Sequence, residues 1–543
     1  MPEAGPPDST RPDAVSGGPT RTERLDLLLY VLLAATTLLV WAPLASVGLN
    51  LADEGWLVTA VDRLIEGERL YTDIYRSYAP GLYWFFAGIF AVSDADLSMS
   101  RWVFLGGLLL IVLGTFRLAR SLAPAWAAFA VALLPIFLRA PTHKTFVPLC
   151  YLASLLLCRV LVENPRSGRM LFGAGIGFGV VGLFRQEAAA FGLLIGLVSL
   201  VVVARRSTAD SSVPSIFRRD VVPLALGVAA PWIPAIAILW LDGSLVDAFE
   251  QLVLAGARGN AAMFLPFPDP SRIITGPDRL EASLFYLPGL ATLVGGLLCW
   301  RAWTRDPHSS EAILLGQWTA MALLAHGIFS SRTDLAHLLQ ALTPTTLILA
   351  HAAGWAIRPN ADSPRTISRG VAIAVGAWLL LSVIMVSDLP RQYALLRESA
   401  PYTVRGSVVR LDPSEVETLT ALDRAIRDAT EPEHAIFVAP YSPGIYHLCG
   451  RRNPSRHDAV LPGYASAEIQ AEIIDALDES GARLVVLERI DYDGRPERRL
   501  GAYAPELVAH IRGNFEPLTR IGGFTLLKRR FDPPDETPQR PRR

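Results

Sequence analysis

Long apolar runs recur along most of the chain, and polar residues are concentrated in the segments between them. Eleven runs have about the length that crosses a bilayer, and tilting or local thinning of the bilayer accommodates the shorter ones. The predicted spans are 25–49, 101–119, 123–139, 146–162, 170–184, 188–204, 221–241, 283–300, 311–329, 337–357 and 370–387. The pattern therefore predicts an all-α polytopic membrane domain.

The apolar run at 79–92 differs from the others because it is shorter than the roughly 17 residues that a span needs. We interpret it as an interfacial or re-entrant helix. With this run outside the membrane, every loop on one side of the bilayer is rich in arginine, which makes that side cytoplasmic by the positive-inside rule. The loops that then face out are 50–100, 140–145, 185–187, 242–282 and 330–336, together with everything after residue 388.

Composition agrees with a membrane protein. The chain has 543 residues, of which 51% are hydrophobic, and its mean hydropathy is +0.34. Those values exclude an ordinary soluble enzyme. A net charge of −1 gives no electrostatic case for binding nucleic acid. The four cysteines show neither a disulfide framework nor the spacing of a metal cluster.

The chain is predicted to have four parts. Residues 1–24 are rich in Pro, Gly, Ser and charge, which predicts a disordered cytoplasmic tail. Residues 25–387 form the membrane domain, with the large external loop at 50–100. Residues 388–531 are predicted to be a small extracytoplasmic α/β domain, and 532–543 a disordered tail. The α/β domain has predicted strands at 434–439, 483–487 and 524–528 and an amphipathic helix at 467–479.

The loop at 50–100 carries a distinctive set of residues. Asp53 and Glu54 follow the first span directly and precede an amphipathic run. Tyr71 and Asp73 come next, and Pro80-Gly81 opens an aromatic run. This arrangement resembles the first external loop of the GT-C glycosyltransferases, in the branch of the protein mannosyltransferases and aminoarabinose transferases (glycosyltransferase family 39-like). The resemblance covers roughly the first two-thirds of the chain.

The resemblance implies an inverting hexosyl or pentosyl transferase in a bacterial cytoplasmic membrane. Such an enzyme moves a sugar from a polyprenyl-phosphate carrier to an extracytoplasmic acceptor, which is a protein, a glycan or a glycolipid. Asp53 is our candidate for the general base, with Glu54 assisting by orienting the acceptor or binding a metal. The alternative is that the pair caps the following helix and supports its dipole. Tyr71 and Asp73 match the family's second cluster, where Asp73 is either a pocket residue or a turn residue.

Two further groups of polar residues lie at predicted external ends of spans. His143 and Lys144 are expected to face the sugar or phosphate of the substrate. The alternative is that they extend to the membrane–water interface, where long cationic side chains snorkel. Arg185 and Glu187 interrupt an apolar stretch, so they either belong to the substrate site or form a neutralised pair in a turn.

The segment at 330–337 supplies the last candidates. Asp334 is expected at a helix N-terminus, where a carboxylate is favoured. Arg332 is disfavoured there unless an anion offsets its charge, and a phosphate bound by Arg332 and His337 would be such an anion. The alternative is an Arg332–Asp334 pair on a solvated turn.

The sequence contains no zinc motif and no Walker motif. Asp53 and Glu54 are ligands that suit a divalent cation, although nothing in the pattern requires one. Two other functions stay open, namely a transporter or flippase for a lipid-linked or envelope substrate, and a non-catalytic GT-C-like subunit. Convergence of Asp53 and the external basic residues on one cavity would favour transfer, whereas a site open to both sides would favour transport.

Overall fold

The computed structural model describes residues 20–93, 96–138, 142–163, 167–207, 217–254, 263–357, 376 and 379–530. The predicted C-terminal tail at 532–543, most of the predicted N-terminal tail, and residues 370–375, 377 and 378 of the last predicted span lie outside these ranges. Helix α1 begins at Arg21, four residues before the predicted first span. A capping box between Thr20 and Glu23 satisfies the first amides and starts the helix there.

The first two-thirds of the described chain is helical. The helices are α1 (Arg21–Trp41), α2 (Asp53–Ile65), α3 (Gly81–Phe90), α4 (Asp96–Ala119), α5 (Ala125–Leu138), α6 (Phe146–Glu163), α7 (Gly168–Phe184), α8 (Gln186–Ser207), α9 (Val222–Leu241), α10 (Leu245–Phe249), α11 (Ser271–Thr275), α12 (Arg279–Arg305), α13 (Ser310–Phe329) and α14 (Leu335–Ile357). Residues 379–386 are also helical. A 3-10 turn at His143–Thr145 precedes α6, and π-helical turns occur at Phe217–Val221 and Glu250–Leu254.

Eight helices in the described ranges are long and apolar enough to cross a membrane, and three shorter apolar helices accompany them. Each of the eleven predicted spans overlaps one of the helices given above. The number of crossings stays a prediction, because three of the helices that overlap the eleven predicted spans, namely α5, α7 and α14, are not among those eight. The remaining short helix, α3, has ten residues. At 1.5 Å per residue it is about 15 Å long, about half the thickness of a hydrocarbon core.

Two helix ends that the sequence predicts to be external, those of α1 and α5, lie together. Trp41, the last residue of α1, donates from Nε1 to the carbonyl of Ile136 in the last turn of α5, at 3.0 Å. At the other end of the bundle, Arg120 after α4 pairs with Asp26 in the first turns of α1 at 2.9 Å. The two ends are therefore distinct, as alternating spans require.

The C-terminal region contains a mixed sheet between helices. Its helices are α15 (Leu389–Glu398), α16 (Pro413–Ala429), α17 (Gly444–Cys449), α18 (Ala467–Glu479), α19 (Leu500–Tyr503) and α20 (Pro505–Asn514). Its strands are β1 (Ala400–Val404), β2 (Ser407–Leu411), β3 (Ile436–Ala439), β4 (Leu484–Glu488), β5 (Phe515–Ile521) and β6 (Phe524–Arg529). The hairpin β1–β2 stands apart, and the main sheet has the order β3-β4-β6-β5, with only the pair β3–β4 parallel. The chain is thus all-α in the membrane part and α/β after it.

The two faces of the main sheet pack against different parts of the protein. Phe437 and Val485 point to one face, where they meet helices α18 and α20. Ile436 and Val438 point to the other face, since neighbouring residues of a strand alternate. That second face shares one continuous apolar core with helices α2 and α3 of the 50–100 segment. The C-terminal region is therefore packed directly onto the loop that carries Asp53.

Candidate active site

A cavity of about 250 Å³ lies between the 50–100 segment, the predicted external helix ends and the C-terminal region. Five of the residues predicted from the sequence line it, and they come from three separate segments of the chain. They are Asp53, His143, Lys144, Arg332 and His337. Aromatic and aliphatic side chains form much of the remaining lining, among them Trp56, Tyr78, Val460 and Tyr464.

Asp53 is the first residue of helix α2, and Asn50 prepares its position. The Asn50 side chain accepts hydrogen bonds from the amides of Ala52 and Asp53, at 3.0 and 2.9 Å. These bonds take the capping role, so Asp53 does not act as the cap itself. The Asp53 carboxylate is directed into the cavity, where it still gains from the positive end of the helix dipole.

Both carboxylate oxygens of Asp53 have a donor. Lys144 Nζ donates to Oδ2 at 2.9 Å, and the Tyr441 hydroxyl donates to Oδ1 at 2.7 Å. Burial alone would raise the pKa of Asp53. The nearby charges of Lys144 and His143, with the two hydrogen bonds, outweigh burial and hold this pKa well below its ordinary value. Asp53 is therefore an ionised carboxylate with fixed orientation.

Glu54 does not line this cavity. Its oxygens accept from Nε and Nη2 of Arg101, at 2.6 and 2.8 Å, in a bidentate pair that ties α2 to α4. Successive residues of a helix point about 100° apart, so Asp53 and Glu54 face different neighbours. The predicted role of Glu54 on the acceptor or on a metal gains no support from this position.

His143 lies in the 3-10 turn before α6 and is almost fully buried. Its ring lies 6.0 Å from that of Trp56 and 6.3 Å from that of Tyr78, measured between centroids. The same turn presents Lys144 to Asp53. The turn therefore places one imidazole and one ammonium group beside the carboxylate.

Arg332 is held by two carboxylates. Its Nε donates to Asp334 at 2.8 Å, and its Nη2 donates to Asp493 of the C-terminal region at 2.6 Å. His337 Nδ1 lies 2.8 Å from Asp334, whose carboxylate also accepts from the His337 amide. The Arg332–Asp334 pair expected as the alternative is present, on a partly buried turn extended by Asp493.

The other four predicted residues lie behind the lining of the cavity. The buried Tyr71 donates from its hydroxyl to the carbonyl of Tyr78 at 2.9 Å. Asp73 accepts from the Arg69 amide and guanidinium within a turn. Arg185 pairs with Glu187, and its guanidinium lies 4.5 Å from the centre of the Tyr78 ring. Tyr71 and Arg185 thus support the segment that carries Tyr78, whereas Asp73 is bonded as a turn residue.

The cavity also contains residues that sequence reasoning missed, most of them from the C-terminal region. Tyr441 follows strand β3, and Tyr492 follows strand β4. The carboxyl ends of neighbouring parallel strands are where open α/β sheets bind ligands, and this is the signal that the sequence offered.

The C-terminal segment 453–464 closes the cavity through a buried ion-pair network. Asp458 is fully buried and accepts from Arg63 at 2.5 Å, from Asn453 at 2.7 Å and from Arg76. Arg76 in turn lies over the Trp56 ring, 4.5 Å from its centre. Among the described residues, no group of three or more His, Cys, Asp or Glu side chains could hold a metal ion.

No protein-family model matches the chain, and no curated protein matches its sequence.

Solved structures do match the fold along nearly the whole chain. ArnT from Cupriavidus metallidurans bound to undecaprenyl phosphate aligns with a TM-score of 0.53 at 14% identity, over 92% of this chain and 97% of that one. The archaeal oligosaccharyltransferase AglB from Archaeoglobus fulgidus, in complex with an inhibitory peptide and a dolichol-phosphate, aligns with a TM-score of 0.51 at 12% identity. That alignment covers 95% of this chain and 75% of the other.

The predicted fold class is therefore confirmed. The chain is a multi-pass membrane protein with the GT-C fold, in which a helical membrane part is followed by a small α/β region.

Proposed function

We propose that the chain is an inverting glycosyltransferase that moves a sugar from a polyprenyl-phosphate donor to an extracytoplasmic acceptor. The observation that carries the proposal is the convergence of Asp53, Lys144 and Arg332 on one cavity at the predicted external end of the bundle. These three residues come from three segments that are far apart in the sequence. Both solved neighbours are bound to a polyprenyl phosphate, which supports a carrier of this class as the donor.

The basic residues of the cavity suit the donor phosphate. Lys144 is a mobile point charge on a flexible stem, and His143 lies directly before it in the same turn. Arg332 and His337, from another segment of the chain, are the other basic residues of this group. Since Arg332 is paired with Asp334 and Asp493, binding phosphate there requires it to exchange at least one of them.

Asp53 serves as the base in this proposal. The acceptor oxygen attacks the anomeric carbon, and the bond from that carbon to the phosphate oxygen breaks. The polyprenyl phosphate leaves with the electron pair, and the acceptor proton passes to Asp53. Because its pKa lies well below the ordinary value, Asp53 is ionised in the resting site. Transfer of Lys144 from Asp53 to the donor phosphate would raise that pKa and make the carboxylate a better base.

The orientation of the protein follows from its basic loops. Arg120 and Arg159, from two of the predicted arginine-rich loops, lie at the end of the bundle away from the cavity. Under the positive-inside rule the cavity and the region 388–531 then face out of a bacterial cytoplasmic membrane. A transporter would need access to its site from both sides, whereas these charged residues gather at one end.

The test is transfer by membranes that contain the chain. Such membranes, which supply endogenous acceptors, are given a panel of tritiated undecaprenyl-phosphate hexoses and pentoses, and free undecaprenyl phosphate is measured. We expect release of the carrier with the wild-type chain and a loss of about 10²–10⁴-fold with Asp53→Asn. Asp428→Asn, at the surface of α16, is the matched control. Equal rates for wild type and Asp53→Asn would remove Asp53 from the chemistry, and no release from any donor would refute the proposed function.

A further inference from the structure

The turn that carries Tyr441 is built onto helix α2. Gly444 donates its amide to the carbonyl of Leu51, and Thr59 donates its hydroxyl to the carbonyl of Pro443, both at 2.8 Å. Gly55 lies so close to Gly444 that a Cβ on Gly55 would stand 2.3 Å from the Gly444 nitrogen. A side chain at Gly55 would therefore force the two backbones apart.

The same turn is tied to the sheet from which it emerges. The amide of Val460 donates to the carbonyl of Pro440, and the Ser442 hydroxyl donates to Glu488 at the end of β4, again at 2.8 Å in both cases. Tyr441 lies between these anchor points. The backbone from which the Tyr441 side chain reaches Asp53 is thus held by hydrogen bonds on both sides.

Tyr441 is the hydrogen-bond donor in this contact, and Asp53 is the acceptor. Burial, and next the charge of Asp53, raise the pKa of Tyr441 well above its ordinary value, so its hydroxyl stays protonated and donates. Lys144, the donor on the other oxygen, sits on a flexible side chain, and the proposed function moves it to the donor phosphate. When Lys144 leaves, Tyr441 is the remaining donor among the side chains that bond to Asp53 in the described structure.

We propose that Tyr441 is a positioning residue for the transfer reaction: its hydroxyl holds the Asp53 carboxylate in the orientation that accepts the acceptor's proton. The C-terminal region then contributes a residue to the active site. This inference rests on the proposed function, because it assigns Tyr441 a task only if Asp53 is the base.

The test compares Tyr441→Phe with Tyr446→Phe in the full-length chain. Tyr446 is the matched control, since it is a buried tyrosine of the same region whose hydroxyl accepts from the Val438 amide of β3 at 2.8 Å. Rates of carrier release are divided by the number of chains that bind undecaprenyl phosphate, which corrects for misfolded protein. The readouts are kcat, the donor KM and the Kd for undecaprenyl phosphate.

We expect Tyr441→Phe to lower kcat about 100-fold, as misplacing a catalytic group by about 1 Å does, with donor KM and Kd within about twofold of wild type. Tyr441→His, which keeps a ring N–H, should retain more of the rate, and Tyr446→Phe should keep the wild-type kcat. A wild-type kcat in Tyr441→Phe, a change confined to Kd, or an equal loss in Tyr446→Phe would overturn the inference. If Asp53→Asn is then still inactive, the proposed function survives; if the wild-type chain releases no carrier, both fall.

Discussion

Replacing Asp458 with asparagine tests whether the C-terminal region is held on the site by the buried ion pairs. Asparagine has nearly the shape of the carboxyl group but not its charge. Burial would raise the pKa of Asp458, but Arg63 and Arg76 outweigh it and lower the pKa from 3.8 to about 2. Since one pKa unit is worth about 1.4 kcal/mol, this downward shift means that the folded protein stabilises the ionised carboxylate by about 2 kcal/mol relative to water. Measured losses for breaking buried pairs are of about this size or larger.

Hydrogen exchange of the full-length chain in detergent measures this energy locally, through the Val460 amide that bonds to Pro440. A loss of about 2 kcal/mol corresponds to about 30-fold faster exchange across 453–464 in Asp458→Asn. Asp423→Asn, which breaks an exposed pair with Arg427, should change exchange by less than about threefold.

The sign of the pH dependence follows from the lowered pKa. The stabilisation is present above pH 3.8 and is lost as the pH falls toward about 2. The difference between Asp458→Asn and wild type should therefore be constant between about pH 6 and about pH 8, once intrinsic exchange rates are corrected. Exchange in Asp458→Asn within threefold of wild type would refute the assigned role of the ion pairs.

Two further predictions concern the donor site and the topology. Arg332→Ala should raise the donor KM at least about tenfold, the usual effect of losing one charge-assisted hydrogen bond, with a much smaller change in the acceptor KM. Steady-state kinetics with each substrate varied in turn measure both constants. A change confined to the acceptor KM would remove Arg332 from the donor site. A cysteine introduced by Ala467→Cys, beside the exposed Ser466, should react with an impermeant thiol reagent in intact cells. The wild-type chain should not react, because its cysteines are buried or partly buried. Reaction only after lysis would reverse the predicted orientation.

The sequence was most informative where charge interrupts apolar runs. Lys144 and Arg332 stand out because each lies in a short polar segment between two apolar runs, and Asp53 stands out because it begins an acidic pair directly after the first span. All three line the cavity. Glu54 was grouped with Asp53 because the two are adjacent, but helix geometry turns it toward Arg101.

The contacts that the sequence could not predict are those between segments that are far apart along the chain. Tyr441 contacts Asp53 although the two are 388 residues apart in the sequence. The pattern of apolar residues in the two segments does not indicate that contact. Asp458 looks like an ordinary loop residue until the fold places two arginines against it. The strands β3, β4 and β6 and the helix α18 could be predicted because each carries its own apolar pattern, whereas the packing of the sheet on α2 could not.

The most direct measurement of the central claim uses the lysines of the chain, of which there are two, Lys144 and Lys528. Purified protein is treated with a water-soluble acylating reagent with and without undecaprenyl phosphate, and mass spectrometry follows both lysines. Lys528 on β6 is exposed and serves as the internal standard, and undecaprenol serves as the neutral control lipid. We predict that undecaprenyl phosphate slows acylation of Lys144 at least about tenfold, because the Lys144 ammonium group then donates hydrogen bonds to the phosphate. The acylation rate of Lys528 should not change. Acylation of Lys144 at the same rate with saturating undecaprenyl phosphate as with undecaprenol would contradict the placement of the donor phosphate beside Asp53.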